Sequence, residues 1–196
     1  MRNTFLIFIF ASIIVAGAII SCTNSSSADL PDKAAVDTTK RIARGEYLVN
    51  VAGCDDCHSP KRMGAHGPEI IPELRFSGYP SARPIQRPDG NVIKQGWALM
   101  GPDLTSAAGP WGVSFTANIS SDQTGIGAWK EEQFITALRK GKYKGLESSR
   151  DLLPPMPWYY YKNMTDEDLK SVFAFLKSTR PVKNIVPAPM QIAEIK

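Results

Sequence analysis

The sequence predicts an all-α domain, and three observations carry that expectation. Apolar residues recur at helical spacing in three separate stretches, near 39–51, 130–141 and 165–180. No stretch keeps a strand-like alternation for long. The segment between the first and second helices, Ser59 to about Phe115, is broken throughout by Pro and Gly, from Pro60 and Gly64 to Pro110 and Gly112, and is expected to be a long irregular loop. At 196 residues the chain fits one domain plus extras, and a hydrophobic share of 43% is enough for an ordinary core.

The N-terminus is expected to be removed. Arg2 supplies a short positive region, and Phe5–Ile20 is an almost wholly apolar run of 16 residues, short of the ~20 that a spanning helix needs. The run ends Ile19-Ile20-Ser21-Cys22, which resembles a bacterial lipoprotein box with Cys22 as the lipidated first residue. An ordinary signal peptide and an uncleaved anchor are the alternatives. The expected organisation is a signal peptide over 1–21, a flexible Ser/Ala/Asp/Thr-rich tether over 22–38, a domain over 39–183 and an irregular tail over 184–196.

The first helix is expected from Thr39 to Val51, with Ile42, Tyr47, Leu48 and Val51 as its stripe. Gly45 sits on it, where glycine costs about 1 kcal/mol relative to alanine unless close packing needs it. That points to another helix crossing there, against a tolerated surface glycine. The second helix runs from about Lys130 to Gly141, with Phe134, Ile135, Ala137 and Leu138 as its apolar face. Lys140, Lys142 and Lys144 follow as a basic cluster, read as a solvated face or a docking patch. The third helix begins at Thr165, an N-cap with Asp168 three residues on. Leu169, Val172, Phe173 and Leu176 line it, Phe175 flanks it, and Arg180-Pro181 stops it.

Between the first helix and the loop stands Cys54-Asp55-Asp56-Cys57-His58, a C-x-x-C-H pattern. Two thiols three residues apart can reach the two vinyl groups of one porphyrin, and the next residue can offer an imidazole nitrogen to its iron. The spacing therefore predicts covalent attachment of one haem c through Cys54 and Cys57, with His58 as an axial ligand. The alternatives are a dithiol redox pair, which would not need His58, and half of a zinc site, for which only Cys22 and His66 remain as further Cys or His ligands.

The sixth iron position is assigned to Met156, framed by Pro154, Pro155 and Pro157 in Leu152-Leu153-Pro154-Pro155-Met156-Pro157-Trp158. Proline fixes φ, so this stretch loses little further entropy when it presents a thioether. Met164 and Met190 are the runners-up. His66 and Met63 lie too soon after His58 to cross to the opposite face, and Trp97, Met100 and Trp111 are expected to pack. The formal charge of +4 falls to +3 once 1–21, which carries Arg2 and no acid, is removed. Two haem propionates bring it to about +1, so nothing proposes nucleic acid as a partner.

The order of helix with glycine and aromatic residue, C-x-x-C-H, long loop, proline-framed methionine and capped helix ending Ala174-Phe175-Leu176-Lys177 resembles the class I cytochrome c family. It is more closely similar to the cytochrome subunits of membrane-bound alcohol and gluconate dehydrogenases. Those carry stretches like Asn118-Ile119 through Asp122, Thr124-Gly125-Ile126-Gly127, Trp129, Glu132-Gln133-Phe134, and Met156-Pro157 ahead of Thr165-Asp166-Glu167-Asp168. The likeness covers about Ala43–Lys61 and Thr116–Val182, and in the middle loop little beyond Gly101–Gly112. Those subunits carry several haem motifs and this chain one, so their quinone chemistry is not carried over. The resemblance implies a cytochrome c-like helical domain around one haem. It also implies outer-sphere electron transfer between a redox donor and acceptor, without enzymatic catalysis. The apolar N-terminal run and Cys22 make the expected protein exported, lipid-anchored and facing the periplasm. A subunit fixed in a dehydrogenase or oxidase complex, and a haem enzyme or sensor with an open sixth position, are the alternatives.

Overall fold

The first and last helices cross at a glycine, and the rest of the chain is arranged around that contact. The computed structural model describes residues 33–195, with side chains from Asp37 onward, and the residues from Asp37 belong to one compact unit. The signal peptide, Cys22 and residues 23–32 of the tether lie outside the described residues.

Helix α1, Lys33–Val51, begins earlier than the apolar stripe implied, because Lys33-Ala34-Ala35 are good helix formers that the stripe does not include. Its inward face is Gly45, Leu48 and Val49, with Ile42 partly buried. Tyr47 and Val51 are 57% and 63% exposed, so the buried stripe is turned by one residue from the expected one. A Cβ built on Gly45 would lie 1.9 Å from the Ser171 carbonyl oxygen and 2.7 Å from Phe175 Cβ, both on the last helix. The glycine is the point of closest approach, as its cost in a helix foretold.

Helix α2, Cys54–His58, follows after a turn. Helix α3, Gly90–Lys94, is capped by the Asp89 carboxylate, which accepts from the Asn91 amide. Helix α4 spans Glu131–Lys140 and ends on left-handed Gly141; α5 is the single turn Trp158–Tyr161. Helix α6, Asp166–Ser178, starts where Thr165 Oγ1 accepts from the Asp168 amide, 3.1 Å away. The main core joins Leu48, Val49, Phe76, Ile126, Phe134, Val172, Phe173, Phe175 and Leu176. Phe134 packs on Phe173 with ring centroids 5.2 Å apart, and Phe76 meets Phe175 edge-on at 6.1 Å.

The expectation of an all-α fold is overturned. The architecture is mixed, 38% helix and 13% strand, with six helices and two small antiparallel sheets among the described residues. Strands β1, Lys61–Gly64, and β2, Gly67–Ile70, form a hairpin. Strands β3, Leu99–Met100, β4, Ser106–Gly109, and β5, Gly112–Phe115, form a three-stranded sheet in the order β3-β4-β5. All five fall inside the segment read as irregular. The physical reason is their length: two to four residues cannot display a period of two, and Lys61-Arg62-Met63-Gly64 and Ser106-Ala107-Ala108-Gly109 contain no β-branched residue.

The C-terminal segment, read as an irregular tail, carries one 3-10 turn, Ile192–Glu194, and is packed. Met190 bridges to Val113, and Ile195 joins Ile93, Ala108 and Val113 in a second small core. Asn184 is buried. Its amide donates to the Ser77 and Tyr79 carbonyls at 2.7 and 2.8 Å, and its side-chain oxygen accepts from the Ser81 amide at 2.9 Å.

Candidate haem site

Cys54 and Cys57 are one turn apart on α2 and so share a face. Neither is in a disulfide. Burial, then the charge of Asp55, pushes the Cys54 thiol up to about 12; burial and Asp56 raise Cys57 against the opposing effect of Lys61. Reactive dithiols have depressed pKa values; the shifts at Cys54 and Cys57 run the other way. Among the described residues no group of three or more His, Cys, Asp or Glu is placed to hold a metal ion.

His58 is half-buried, and burial lowers its pKa, so the ring is neutral near pH 7. Its Nδ1 lies 2.7 Å from the Ala117 carbonyl oxygen. A carbonyl only accepts, so Nδ1 carries the proton and Nε2 keeps its lone pair, the form in which an imidazole ligates a metal. The partner is placed by backbone. The Gly78 amide donates to the His58 carbonyl at 2.8 Å and the Tyr79 amide to the Thr116 carbonyl at 3.1 Å. Gly78 has φ +71°, and a Cβ there would lie 2.3 Å from the Thr116 oxygen and 2.5 Å from the Ala117 carbonyl carbon. Only glycine lets the two strands of chain approach so closely.

Asp55 holds the motif to the loop. Its carboxylate accepts from Ser59 Oγ at 2.6 Å and from Arg75 at 2.7 and 3.1 Å, while Ser59 Oγ accepts from the Phe76 amide at 2.9 Å. The Arg75–Asp55 hydrogen bond is the main cause that raises the Arg75 pKa. Lys61 Nζ donates to four carbonyl oxygens: Asp56 at 2.7 Å, Ser59 at 3.0 Å, and Asp55 and Asp103 at 3.2 Å. The Asp103 carboxylate is buried. Burial would raise its pKa, but hydrogen bonds from Arg83 and Thr105 outweigh that and hold it below the ordinary carboxylate value.

Met156 is half-buried on a loop held from two sides. Ser114 Oγ on β5 donates to the Pro154 carbonyl at 2.6 Å and itself accepts from Trp111 Nε1 at 3.2 Å. After Pro157 the chain enters α5, and Tyr161 Oη donates to the Ala52 carbonyl at 2.8 Å, two residues before Cys54. The loop of Met156 is thus tied through one helical turn to the start of the haem motif. Met164 packs against the main core, and Met190 against the second core. His66 is exposed and Met63 is 76% exposed, both on the β1–β2 hairpin. Trp97 and Met100, expected to pack, are 63% and 44% exposed. In the basic cluster, Lys142 pairs with Asp151 and Lys140 with Glu147, which makes it a solvated, internally compensated face.

The donors present fit a haem c: two protonated thiols on one helical face and an adjacent neutral imidazole with Nε2 free. Sequence reasoning missed Ala117, Arg75, Ser114, Tyr161 and Lys61. The first acts through a backbone atom, and the others are distinguished by partners distant in sequence or by a geometry that only the fold creates.

A family profile described as Cytochrome c matches residues 42–180. The chain is 30% identical over 159 residues to the fructose dehydrogenase cytochrome subunit of Gluconobacter japonicus, covering 77% of this chain and 25% of that one. It is likewise 30% identical over 159 residues to the gluconate 2-dehydrogenase cytochrome c subunit of Pantoea cypripedii, covering 80% and 27%. Against the alcohol dehydrogenase (quinone) cytochrome c subunit of Gluconobacter oxydans it is 26% identical over 138 residues, covering 70% and 23%. The chain spans about a quarter of the length of these relatives.

Proposed function

The chain belongs to the cytochrome c family, and we propose that it is a single-haem electron carrier in which Cys54 and Cys57 form the two thioethers and His58 and Met156 are the axial ligands. Membership brings covalently bound haem c and a role in electron transfer rather than catalysis. When bound, haem c supplies a one-electron ferric–ferrous couple. The observation that supports His58 as a ligand is the 2.7 Å contact from its Nδ1 to the Ala117 carbonyl, which favours a proton on Nδ1 and leaves the Nε2 lone pair available to iron. Asp55, clamped by Arg75 and Ser59, holds α2 in place while its two cysteines face one side. The Pro154–Pro157 frame, with Ser114 on one flank and Tyr161 on the other, holds the Met156 thioether in a preset loop.

Denaturing gels stained for haem test the attachment. The single changes Cys54→Ala and Cys57→Ala should weaken staining, and the double change should abolish it. Staining that survives the double change ends this reading.

Lipidation at Cys22 and residence on a periplasm-facing membrane surface complete the proposal, supported by the apolar run that ends at that cysteine. Full membrane retention of a correctly cleaved Cys22→Ser protein would count against the lipid. The donor and acceptor are redox proteins. The second reading, a subunit fixed in a dehydrogenase complex, is favoured by the names of the relatives, and a dehydrogenase that stays with the protein through purification in mild detergent would select it.

A further inference from the structure

The ammonium of Lys61 is lodged among backbone oxygens at the end of the haem-motif helix. A helix leaves its last carbonyls without intrahelical partners, and α2 disposes of them one by one. The Asp55 oxygen accepts from the Ser59 amide, the His58 oxygen from the Gly78 amide, and the Asp56 oxygen from Lys61 at 2.7 Å. Lys61 Nζ reaches the oxygens of Asp55, Ser59 and Asp103 as well, so three protons face four acceptors. The charge is therefore fixed at hydrogen-bond distance from residues 55, 56 and 59, which bracket Cys57 and His58. Asp55 is paired with Arg75 and Asp103 with Arg83, and Asp56 is exposed to water; the Asp55 charge opposes that of Lys61 at His58, and the Asp56 charge opposes it at Cys57.

We propose that Lys61 is a positioning residue that sets the haem potential, its immobilised ammonium favouring the ferrous state over the more positive ferric one. The proposal rests on haem attachment at Cys54 and Cys57. A cation held beside the ligand helix would act on a bound haem with less screening than a mobile surface charge, because four carbonyls hold it and the side chain is half-buried. Arg62, the next residue, is exposed and outward on the same strand, which makes it the internal reference.

The experiment uses the intact holoprotein and four variants: Lys61→Met, Lys61→Gln, Lys61→Arg and Arg62→Met. Midpoint potentials are read by spectroelectrochemistry at low and high salt, with melting temperature and haem-stained gels in parallel. Lys61→Met and Lys61→Gln should lower the potential at both salt concentrations, and Lys61→Arg should restore most of it. Arg62→Met should give a smaller shift that salt removes. Lys61→Gln keeps two N–H donors without the charge, so it takes the reading if Lys61→Met does not accumulate. A neutral Lys61 variant with its haem attached and the wild-type potential overturns the proposal. So does a shift no larger than that of Arg62→Met. Loss of haem staining in the unmutated protein would sink the haem reading instead, and the gel separates the two failures.

Discussion

Replacing Gly45 with alanine adds one methyl group to a helix, a change that stabilises most helices by about 1 kcal/mol. Here it should do the reverse. The methyl would lie 1.9 Å from the Ser171 carbonyl oxygen and 2.6 Å from its carbon, both backbone atoms that cannot rotate away. Ordinary contact begins at 3.4 Å, so α1 and α6 must part by about 1.5 Å at this point. A radial gap of 0.5–1 Å already forfeits a quarter to a half of a dispersion contact, and Leu48, Val49, Val172 and Phe175 belong to the core that this crossing closes. Overpacking of this kind costs roughly 1–3 kcal/mol. With the lost core contacts added and the propensity gain subtracted, the net loss is about 2 kcal/mol, a fall of about 4–8 °C in Tm for a domain of this size. Thermal unfolding followed by far-ultraviolet circular dichroism measures it. Ala43→Gly, on the exposed side of α1, is the matched control and should lose about 1 kcal/mol through propensity alone. The two changes oppose each other in propensity and agree in stability. A Gly45→Ala protein that melts at or above the wild type refutes the close crossing.

Two further outcomes follow from the site. Met156→Ala should leave the haem attached and His58 in place, lower the midpoint potential through loss of the soft sixth ligand, and speed carbon monoxide binding; Met164→Ala should do neither, and a reversed pair of results reassigns the ligand. Asp103, whose carboxyl is held below its ordinary value in the fold, contributes stability that is complete above the unfolded-state pKa and is lost as pH falls through the folded one. Asp103→Asn should therefore lower Tm at pH 7 and flatten its decline on acidification, and a parallel curve for the two proteins would show that the Arg83 pair is not linked to folding.

How legible each part was in the sequence depended on how local its cause was. The C-x-x-C-H motif of Cys54, Cys57 and His58 could be read as a candidate haem site because the chemistry of attachment imposes a five-residue spacing. Helices α4 and α6 could be read because their stripes and ends are local, down to Thr165 capping Asp168. Gly45 could be read because a glycine in a helix has a cost that demands a reason. The sheets could not, since the register of Lys61 on Ile70 or Ser106 on Phe115 is set by turns and packing rather than by side-chain alternation. Nor could the partner of His58, because the acceptor on Ala117 is a carbonyl that every residue possesses.

The buried Asn184 has a consequence for the order of assembly. Its hydrogen bond to Ser77 joins positions 107 apart, and those to Tyr79 and Ser81 are nearly as distant. Until Asn184 docks, the Ser77 and Tyr79 carbonyls and the Ser81 amide lack these partners. Contacts so far apart in sequence close slowly. The segment beside the haem motif therefore depends on a residue more than 100 positions downstream to complete its hydrogen bonding. Hydrogen exchange at the Ser81 amide in a chain cut after Lys183 reads this directly: fast exchange there, with the α1–α6 core still protected, shows that Asn184 is the lock on this segment.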